Sequence, residues 1–479
     1  MQLLVSDIFR NAAVAVPDRL AYAVGDQGWT FRELDLISEQ AARCLLDRGV
    51  RPGDHVAYRA DLSLATVALF IATAKIGAVF APIDPALSQG EAADLERLVG
   101  SDLSLSLDRS GVERLLAEAS ALGGVEQVPD DGMDERAAHV LFFTSGSTGA
   151  PKGIPVSHRV SMLRSHPGAQ PESRGPALCP FPLFHMAAWT IALQQWQARA
   201  AVILPETFQA DAICAGIAAY RAERIYCIPA IWRRVMDHVD EMRAKGAPLP
   251  DLSSIRFADT GTSATPPTLI EGLKDLLPQA QVRIFYGSTE AGPVTCLEGS
   301  ALTERAGSCG LPMQGVRLRI SEAGELQIRG PSVFEPESMS ADAGFTADGW
   351  LRTGDLAEID ADGFVAITGR AKEVIRSGGH SVSPTEVEGV LATLPGVRDV
   401  AVVGLPDPDW GETVCAAVVA ELGQAPPDLA SIREGCAARL AAFKHPRRMV
   451  LVDQIPRTAS TQQVRRGALV AQILEERDA

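Results

Sequence analysis

Phe142-Phe143-Thr144-Ser145-Gly146-Ser147-Thr148-Gly149-Ala150-Pro151-Lys152-Gly153 follows directly on Val140-Leu141, so hydroxyls, glycines and one lysine are concentrated at the end of an apolar run. The pattern predicts a strand that delivers a phosphate-gripping loop. Gly146, Gly149 and Gly153 let backbone approach a polyanion closely, Thr144, Ser145, Ser147 and Thr148 offer hydroxyl donors, and Lys152 supplies positive charge. The P-loop of kinases and GTPases is excluded, because it needs Gly-Lys followed by Ser or Thr, whereas Pro151 precedes Lys152 and Gly153 follows it. A solvated Ser/Gly linker fits poorly, since a further apolar segment follows.

Outward from this loop, 479 residues exceed one ordinary core and suggest about three globular units. Hydrophobic residues at 46% and charged residues at 22% supply ample core material. The net charge of −16 argues against nucleic acid or an anionic membrane as partner, so anionic ligands must be gripped locally. The eight cysteines, at 44, 179, 214, 227, 296, 309, 415 and 436, form no CxxC pair and no dense framework, which predicts reduced thiols, no metal site and a cytoplasmic protein. Met1-Gln2-Leu3-Leu4-Val5-Ser6-Asp7 lacks an export signal, and no apolar run is long enough to predict membrane insertion.

From residue 1 to about 170, helical patches such as Ala41–Leu46 and Ala65–Ile76 alternate with short apolar strands such as His55–Tyr58, which predicts a mostly parallel sheet flanked by helices. A second α/β stretch to about residue 290 carries strand candidates at Ala201–Leu204, Arg224–Ile228 and Val282–Tyr286. Between about 305 and 368, short alternating runs such as Val316–Ile320 and Glu325–Ile328 predict a small β-rich unit. Beyond Arg370 the pattern returns to mixed helix and strand, with Glu386-Val387-Glu388 opening a helix, Val400–Val403 a strand, and the alanine-rich run Cys436–Ala442 an ordinary helix.

Further motifs follow in order: Tyr286-Gly287-Ser288-Thr289-Glu290, Gly349-Trp350-Leu351-Arg352-Thr353-Gly354-Asp355, Gly369-Arg370-Ala371-Lys372 and Ser377-Gly378-Gly379-His380. With the phosphate loop, they make the chain resemble, over nearly its whole length, the adenylate-forming superfamily of acyl-CoA synthetases, luciferase and peptide-synthetase adenylation domains. The resemblance implies an α/β fold. Residues 1–369 would form a large N-terminal domain of two flavodoxin-like α/β subdomains plus a small β-barrel. Residues 370–479 would form a small, mobile α+β C-terminal domain rotating about a hinge near Lys372.

Such enzymes join a carboxylate to AMP and pass the acyl group to a thiol. By resemblance, Asp355 accepts bonds from the ribose hydroxyls with Arg370 in support, Tyr286 packs on adenine beside Gly287, Thr289 contacts phosphate, and Glu290 binds Mg²⁺ when ATP is used. Helix capping is the bland alternative for Thr289 and Glu290. Pro182-Leu183-Phe184-His185-Met186 resembles the segment in which His185 gates an acyl pocket, and Ala187, Ala188 and Gly261 are expected to border it. No aspartate lies between Phe181 and Trp189 to pair with an amino group, so a bulky apolar carboxylic acid is expected rather than an amino acid. His185 and Gly379 are assigned to catalysis, and Ser377, Gly378, Gly379 and His380 to the coenzyme A channel.

One departure bears on mechanism. The family ends in Pro-x-Thr-x-x-Gly-Lys, whose lysine bridges the substrate carboxylate and the α-phosphate during adenylation. Here the segment reads Pro456-Arg457-Thr458-Ala459-Ser460-Thr461-Gln462-Gln463-Val464-Arg465-Arg466, which puts Gln462, or Gln463 after a slip of one residue, in the lysine slot. A neutral amide cannot offset the charge that builds as carboxylate attacks phosphate, a loss of roughly 10²- to 10³-fold or more in rate. The expectation is an enzyme that takes a preformed acyl-adenylate from a separate adenylating enzyme and transfers the acyl group to CoA. Two alternatives stand beside it: a complete ATP-dependent ligase using Arg465, Arg466 or another cation, and a non-catalytic adenylate-binding protein.

Overall fold

The computed structural model describes residues 2–100, 103–124, 126–130, 132–145, 151–166, 175–263, 265–334, 344–421, 423–437, 439–457 and 463–478. The apolar run before the phosphate loop forms strand Ala138–Ser145, which turns back antiparallel into strand Pro151–Ser157. Loop residues 146–150 lie outside the described ones. The two strands complete a five-stranded sheet in the order Leu103–Leu107, His55–Arg59, Val79–Ile83, Ala138–Ser145, Pro151–Ser157, parallel apart from the last pair.

A nine-stranded sheet holds the second unit, in the order Leu311–Pro312, Gly292–Glu298, Gln281–Ser288, Phe257–Gly261, Arg224–Tyr226, Ala177–Leu178, Val202–Leu204, Leu20–Val24, Gln27–Thr30. The N-terminal hairpin thus pairs with Val202–Leu204 of the second unit and leaves the first sheet to later strands. Both units share one apolar core, because helix Leu64–Lys75 of the first is buried against helix Met186–Gln197 of the second, with the Phe70 and Trp189 rings stacked at 3.9 Å.

The β-rich unit is a four-stranded antiparallel sheet, Arg317–Ile320, Glu325–Arg329, Leu351–Ile359, Val365–Arg370. In the C-terminal region, strands Val397–Asp407 and Gly411–Ala420 are apolar on consecutive residues because both faces are covered. Val400, Val402, Val414 and Ala416 face one cluster with helices Pro384–Leu391 and Leu429–Ala437, while Ala401, Val403, Cys415 and Ala417 face another with helix Arg466–Asp478. The alanine-rich run does not continue as a helix: the helix ends at Ala437, and Ala441 is extended. Tertiary contacts override alanine's propensity here, since His445 bonds the Leu440 carbonyl and Phe443 stacks on His380.

Three adjacent strands of the large sheet are clamped by one carboxylate with no exposure to water. Asp259 accepts from Arg224 Nε at 2.7 Å and from Arg283 Nε at 2.7 Å. Burial pushes the Asp259 carboxyl up, but Arg283 and Arg224 together hold it below its ordinary value. Asp259→Ala leaves two guanidiniums without their shared partner and is expected to cost about 3–5 kcal/mol, read as a fall in melting temperature. Because the folded-state pKa is depressed, the wild-type advantage over Asp259→Asn is present in full above pH 3.8 and is lost as the pH falls through the lower folded value, which urea melts across that range check.

Candidate active site

In sheets of this kind ligands sit beyond the carboxyl ends of parallel strands. Tyr226, Gly261 and Tyr286 occupy those ends on Arg224–Tyr226, Phe257–Gly261 and Gln281–Ser288, and Ser145 does so on the first sheet. At Gly261 an added Cβ would lie 2.2 Å from the Phe285 carbonyl and 2.5 Å from Tyr226 Oη, so only glycine fits. The next residue, Thr262, has φ +67°, a left-handed backbone that costs a branched residue free energy. The Tyr226 ring lies 5.3 Å from Phe181 and 6.1 Å from Phe285, building an aromatic wall beside this glycine.

His185 caps helix Met186–Gln197 and packs on Phe184 at 4.6 Å. Its Nε2 is buried without a hydrogen-bond partner, and burial pushes the imidazole pKa down to about 4, so the ring is neutral near pH 7. Ala187 is half-buried, whereas Ala188 is fully enclosed in the core.

Asp355 is the centre of the second cluster. It stands opposite Arg370 across the antiparallel pair Leu351–Ile359 and Val365–Arg370. Arg370 Nε lies 2.9 Å from Oδ1, Tyr286 Oη donates to Oδ2 at 2.7 Å, and the Asp355 amide donates to Thr353 Oγ1. Burial raises the Asp355 carboxyl, against the opposing pull of Arg370 and Tyr286. Burial and the Asp355 charge push the Tyr286 phenol well above its ordinary range, so it stays a donor. The sequence expectation joined Tyr286 and Asp355 only through a ligand; here they are bonded directly.

Thr289 and Glu290 lie in the tight turn between strands Gln281–Ser288 and Gly292–Glu298, which removes the helix-capping alternative. Gly287 passes so near the Gly292 carbonyl, 2.3 Å from an added Cβ, that no side chain fits. The Glu290 carbonyl accepts from Arg164 Nη2 at 2.7 Å, and the half-buried Glu290 carboxylate acts on the same guanidinium through its charge. On the first sheet Thr144 stands opposite the exposed Lys152, while Gly146, Ser147, Thr148 and Gly149 lie outside the described residues. Among the described residues no three His, Cys, Asp or Glu side chains gather as a metal cage, and no helix is long and apolar enough to cross a membrane.

Ser377-Gly378-Gly379-His380 is a two-residue hairpin: Ser377 pairs with His380, and both glycines have positive φ, +58° and +79°. Gly378 donates to the Trp410 carbonyl at 2.9 Å and leaves no room for a Cβ against the Trp410 ring, whereas Gly379 faces open space. Arg447 lies 3.6 Å over the Trp410 ring, and the His380 ring stacks on Phe443 at 4.4 Å. Trp410, Phe443, Lys444 and Arg447 were not singled out from the sequence. The signal available was an aromatic at each of two separate places with cations nearby, and only the fold brings them to the Gly378-Gly379 turn.

Near the lysine slot, Gln462 lies outside the described residues and Gln463 is exposed. Arg466 is taken up elsewhere: Nε donates to Glu373 at 2.8 Å and Nη1 to Glu388 at 2.6 Å and to the Val402 carbonyl at 2.8 Å. Burial alone would lower its pKa, but Glu388 and Glu373 raise it. Arg457 pairs with Asp399, and Arg465 is exposed.

Residues 9–336 match the AMP-binding enzyme family, and residues 386–462 match the AMP-binding enzyme C-terminal domain. The chain belongs to the AMP-binding enzyme family. Within it the chain falls among the acyl-CoA ligases. It is 34% identical to the 3-[(3aS,4S,7aS)-7a-methyl-1,5-dioxo-octahydro-1H-inden-4-yl]propanoyl:CoA ligase of Mycobacterium tuberculosis, over 93% of this chain and 94% of that protein. It is 32% identical to a feruloyl-CoA synthase of Amycolatopsis sp, again over 93% and 94%. The fold is similar to o-succinylbenzoate CoA synthetase of Bacillus subtilis in complex with its acyl-adenylate intermediate, with a TM-score of 0.82, 26% identity and 97% of each chain covered.

In this AMP-binding enzyme the Tyr286 hydroxyl lowers the Asp355 carboxyl pKa. Tyr286→Phe keeps the ring and removes only that donor, so the Asp355 carboxyl is expected to titrate at higher pH than in wild type. Carboxyl carbon NMR on selectively labelled protein, with Asp355→Asn assigning the signal, measures the shift.

Proposed function

We propose that this chain catalyses the second half-reaction of an acyl-CoA ligase, transferring the acyl group of a preformed acyl-adenylate to coenzyme A. The observation that carries the reading is electrostatic: the lysine slot holds Gln462 or Gln463, and the half-buried arginine just beyond it, Arg466, is already bound to two carboxylates. Free acid therefore meets no ammonium at the point where carboxylate attacks phosphate, and adenylation is impaired.

The nucleotide half of the site suits an adenylate that arrives ready-made. Asp355, held by Arg370 and Tyr286, is preoriented to accept two hydroxyls from a ribose, and the flanks of the phosphate loop bring Thr144 and Lys152 alongside each other. Thioester formation then requires the coenzyme A sulfur to attack the acyl carbonyl carbon as the bond to the AMP phosphate oxygen breaks, the thiol proton leaving to solvent. The open face of Gly379 admits a slender thiol arm. The Trp410 and Phe443 rings with Arg447 and Lys444 offer stacking and cationic groups suited to an adenine and its phosphates. Residues 370–479 rotate about a hinge at Lys372 to bring this surface to the adenylate, and Arg466 ties the adjoining Glu373 to the C-terminal region throughout. The acid is a bulky apolar one seated beside His185, Ala187 and Gly261, and a separate adenylating enzyme supplies it.

A complete ATP- and Mg²⁺-dependent ligase is the second reading. It is favoured by the exposed Arg465, by the half-buried Glu290 carboxylate, which fits the one or two carboxylates Mg²⁺ takes beside phosphate oxygens, and by relatives that are themselves named CoA ligases or synthases. Two assays separate the readings, using one hydrophobic acid: free acid with ATP, Mg²⁺ and CoA, and its synthetic adenylate with CoA. The expected thioester rate from the adenylate exceeds that from the free acid by roughly 10²-fold or more, and Gln462→Lys or Gln463→Lys narrows the gap by restoring pyrophosphate release. Equal rates from both starting materials would sink the half-reaction reading.

A further inference from the structure

Strand Leu351–Ile359 does not run regularly beside strand Glu325–Arg329. Glu325 pairs with Leu356 and Gln327 with Arg352, so the single residue Leu326 faces Thr353, Gly354 and Asp355 in an enlarged β-bulge. Gly354 has φ +74° there, a left-handed backbone that glycine takes without strain. A bulge leaves ladder groups without their usual partners, and here side chains take them up. The Gly354 amide donates to Glu325 Oε1 at 2.8 Å, the Asp355 amide to Thr353 Oγ1 at 3.0 Å, and Thr353 Oγ1 in turn to the Leu326 carbonyl at 2.8 Å. The Gly354 carbonyl accepts from the Ala371 amide at 2.9 Å, next to Lys372.

This bulge decides where Asp355 points. A carboxylate offers about four acceptor directions, two on each oxygen. Arg370 Nε takes one on Oδ1 at 2.9 Å and Tyr286 Oη one on Oδ2 at 2.7 Å, which leaves about one on each oxygen. Two neighbouring hydroxyls fit only while those remaining directions are held still, and their aim follows the main chain at Asp355. Glu325 grips that main chain from the adjacent strand. It is half-buried, and its own amide donates to Ser321 Oγ at 3.1 Å, so the grip starts from anchored backbone.

We propose that Glu325 and Thr353 are positioning residues for nucleotide binding: by accepting the Gly354 and Asp355 amides they fix the bulge that aims the Asp355 carboxylate at the ribose hydroxyls. This rests on the reading of Asp355 as the ribose acceptor, and both residues act through Asp355 rather than on the nucleotide. What Glu325 supplies is an acceptor oxygen, which a glutamine keeps and a methionine of similar length lacks.

The test titrates AMP and 2′,3′-dideoxy-AMP calorimetrically into the full-length wild type, Glu325→Gln and Glu325→Met. In wild type AMP is expected to bind roughly 10- to 100-fold more tightly than the dideoxy form, the share that hydroxyls on a charged acceptor contribute. Glu325→Gln is expected to keep that ratio, and Glu325→Met to lower it to about 3-fold or less through weaker AMP binding, with dideoxy-AMP little changed. A merely structural role would weaken both nucleotides alike. An intact ratio in Glu325→Met, or a Glu325→Gln ratio as low as that of Glu325→Met, overturns the role of Glu325 while the ribose reading stands. Should Glu325→Met fail to fold, Thr353→Val, which takes the acceptor from the Asp355 amide at nearly constant shape, decides in its place by the same ratio. Equal affinity of wild type for the two nucleotides, or no binding of AMP, instead overturns the ribose reading and this inference with it.

Discussion

A carboxylate shut away from water, Asp259, holds the centre of the large sheet and ties three adjacent strands together. Arg224 on one side and Arg283 on the other reach it from neighbouring strands, and Trp232 donates to its carbonyl. Neither arginine could stay buried without it, and it could not stay ionised without them. Two residues past Arg224 comes Tyr226, two past Asp259 comes Gly261, and three past Arg283 comes Tyr286. The clamp therefore sets the spacing of the aromatic wall, the glycine that lets it close and the tyrosine that reaches Asp355.

From Tyr286 the same chain of constraint passes to Asp355 and on to Arg370, joining the large sheet to the small antiparallel one within a single hydrogen-bonded cluster. The net charge of −16 makes the placement of cations informative. Lys152, Arg370, Lys444 and Arg447 stand out against an acidic whole opposite Thr144, beside Asp355 and around the Gly378-Gly379 turn. Local cationic groups in an acidic protein give short-range recognition of a phosphorylated ligand without the long-range field that would gather nucleic acid.

Much of this was legible from local pattern. The apolar run Val140–Phe143 ends in a strand, the alternation at Glu325–Ile328 marks a strand although Gln327 on its polar side is buried under Arg319, and Val400–Val403 is a strand whose unbroken apolarity reports cover on both faces. What was not legible depends on contacts across long sequence separations. The Leu20–Thr30 hairpin joins a strand about 180 residues away, and nothing in its own residues says which of two sheets will take it. Ala441 carries helical propensity that loses to the anchoring of Phe443 and His445. Trp410 gains meaning only where Gly378 backs onto its ring, and Arg164 reads as one more charge on a short helix until it is found bonded to the Ser332 and Glu290 carbonyls.

The mechanistic question at the C-terminal loop turns on comparing two magnitudes. A cation delivered to the adenylation step is worth roughly 10²- to 10³-fold, about 2.7–4 kcal/mol. Freeing Arg466 to provide it would break its pairs with Glu388 and Glu373, at a cost below the about 3–5 kcal/mol of a fully buried pair because all three side chains keep some contact with water. That cost offsets part of the gain, so an arginine three or four residues from the lysine slot is a poorer cation than the lysine while those two glutamates hold it. Only a cation without such partners could serve, and among the residues flanking the slot Arg465 is the exposed one. The distinction between a complete ligase and a half-reaction enzyme thereby reduces to whether Arg465, on its own flexible stem, reaches a charge that Arg466 has already surrendered to Glu388.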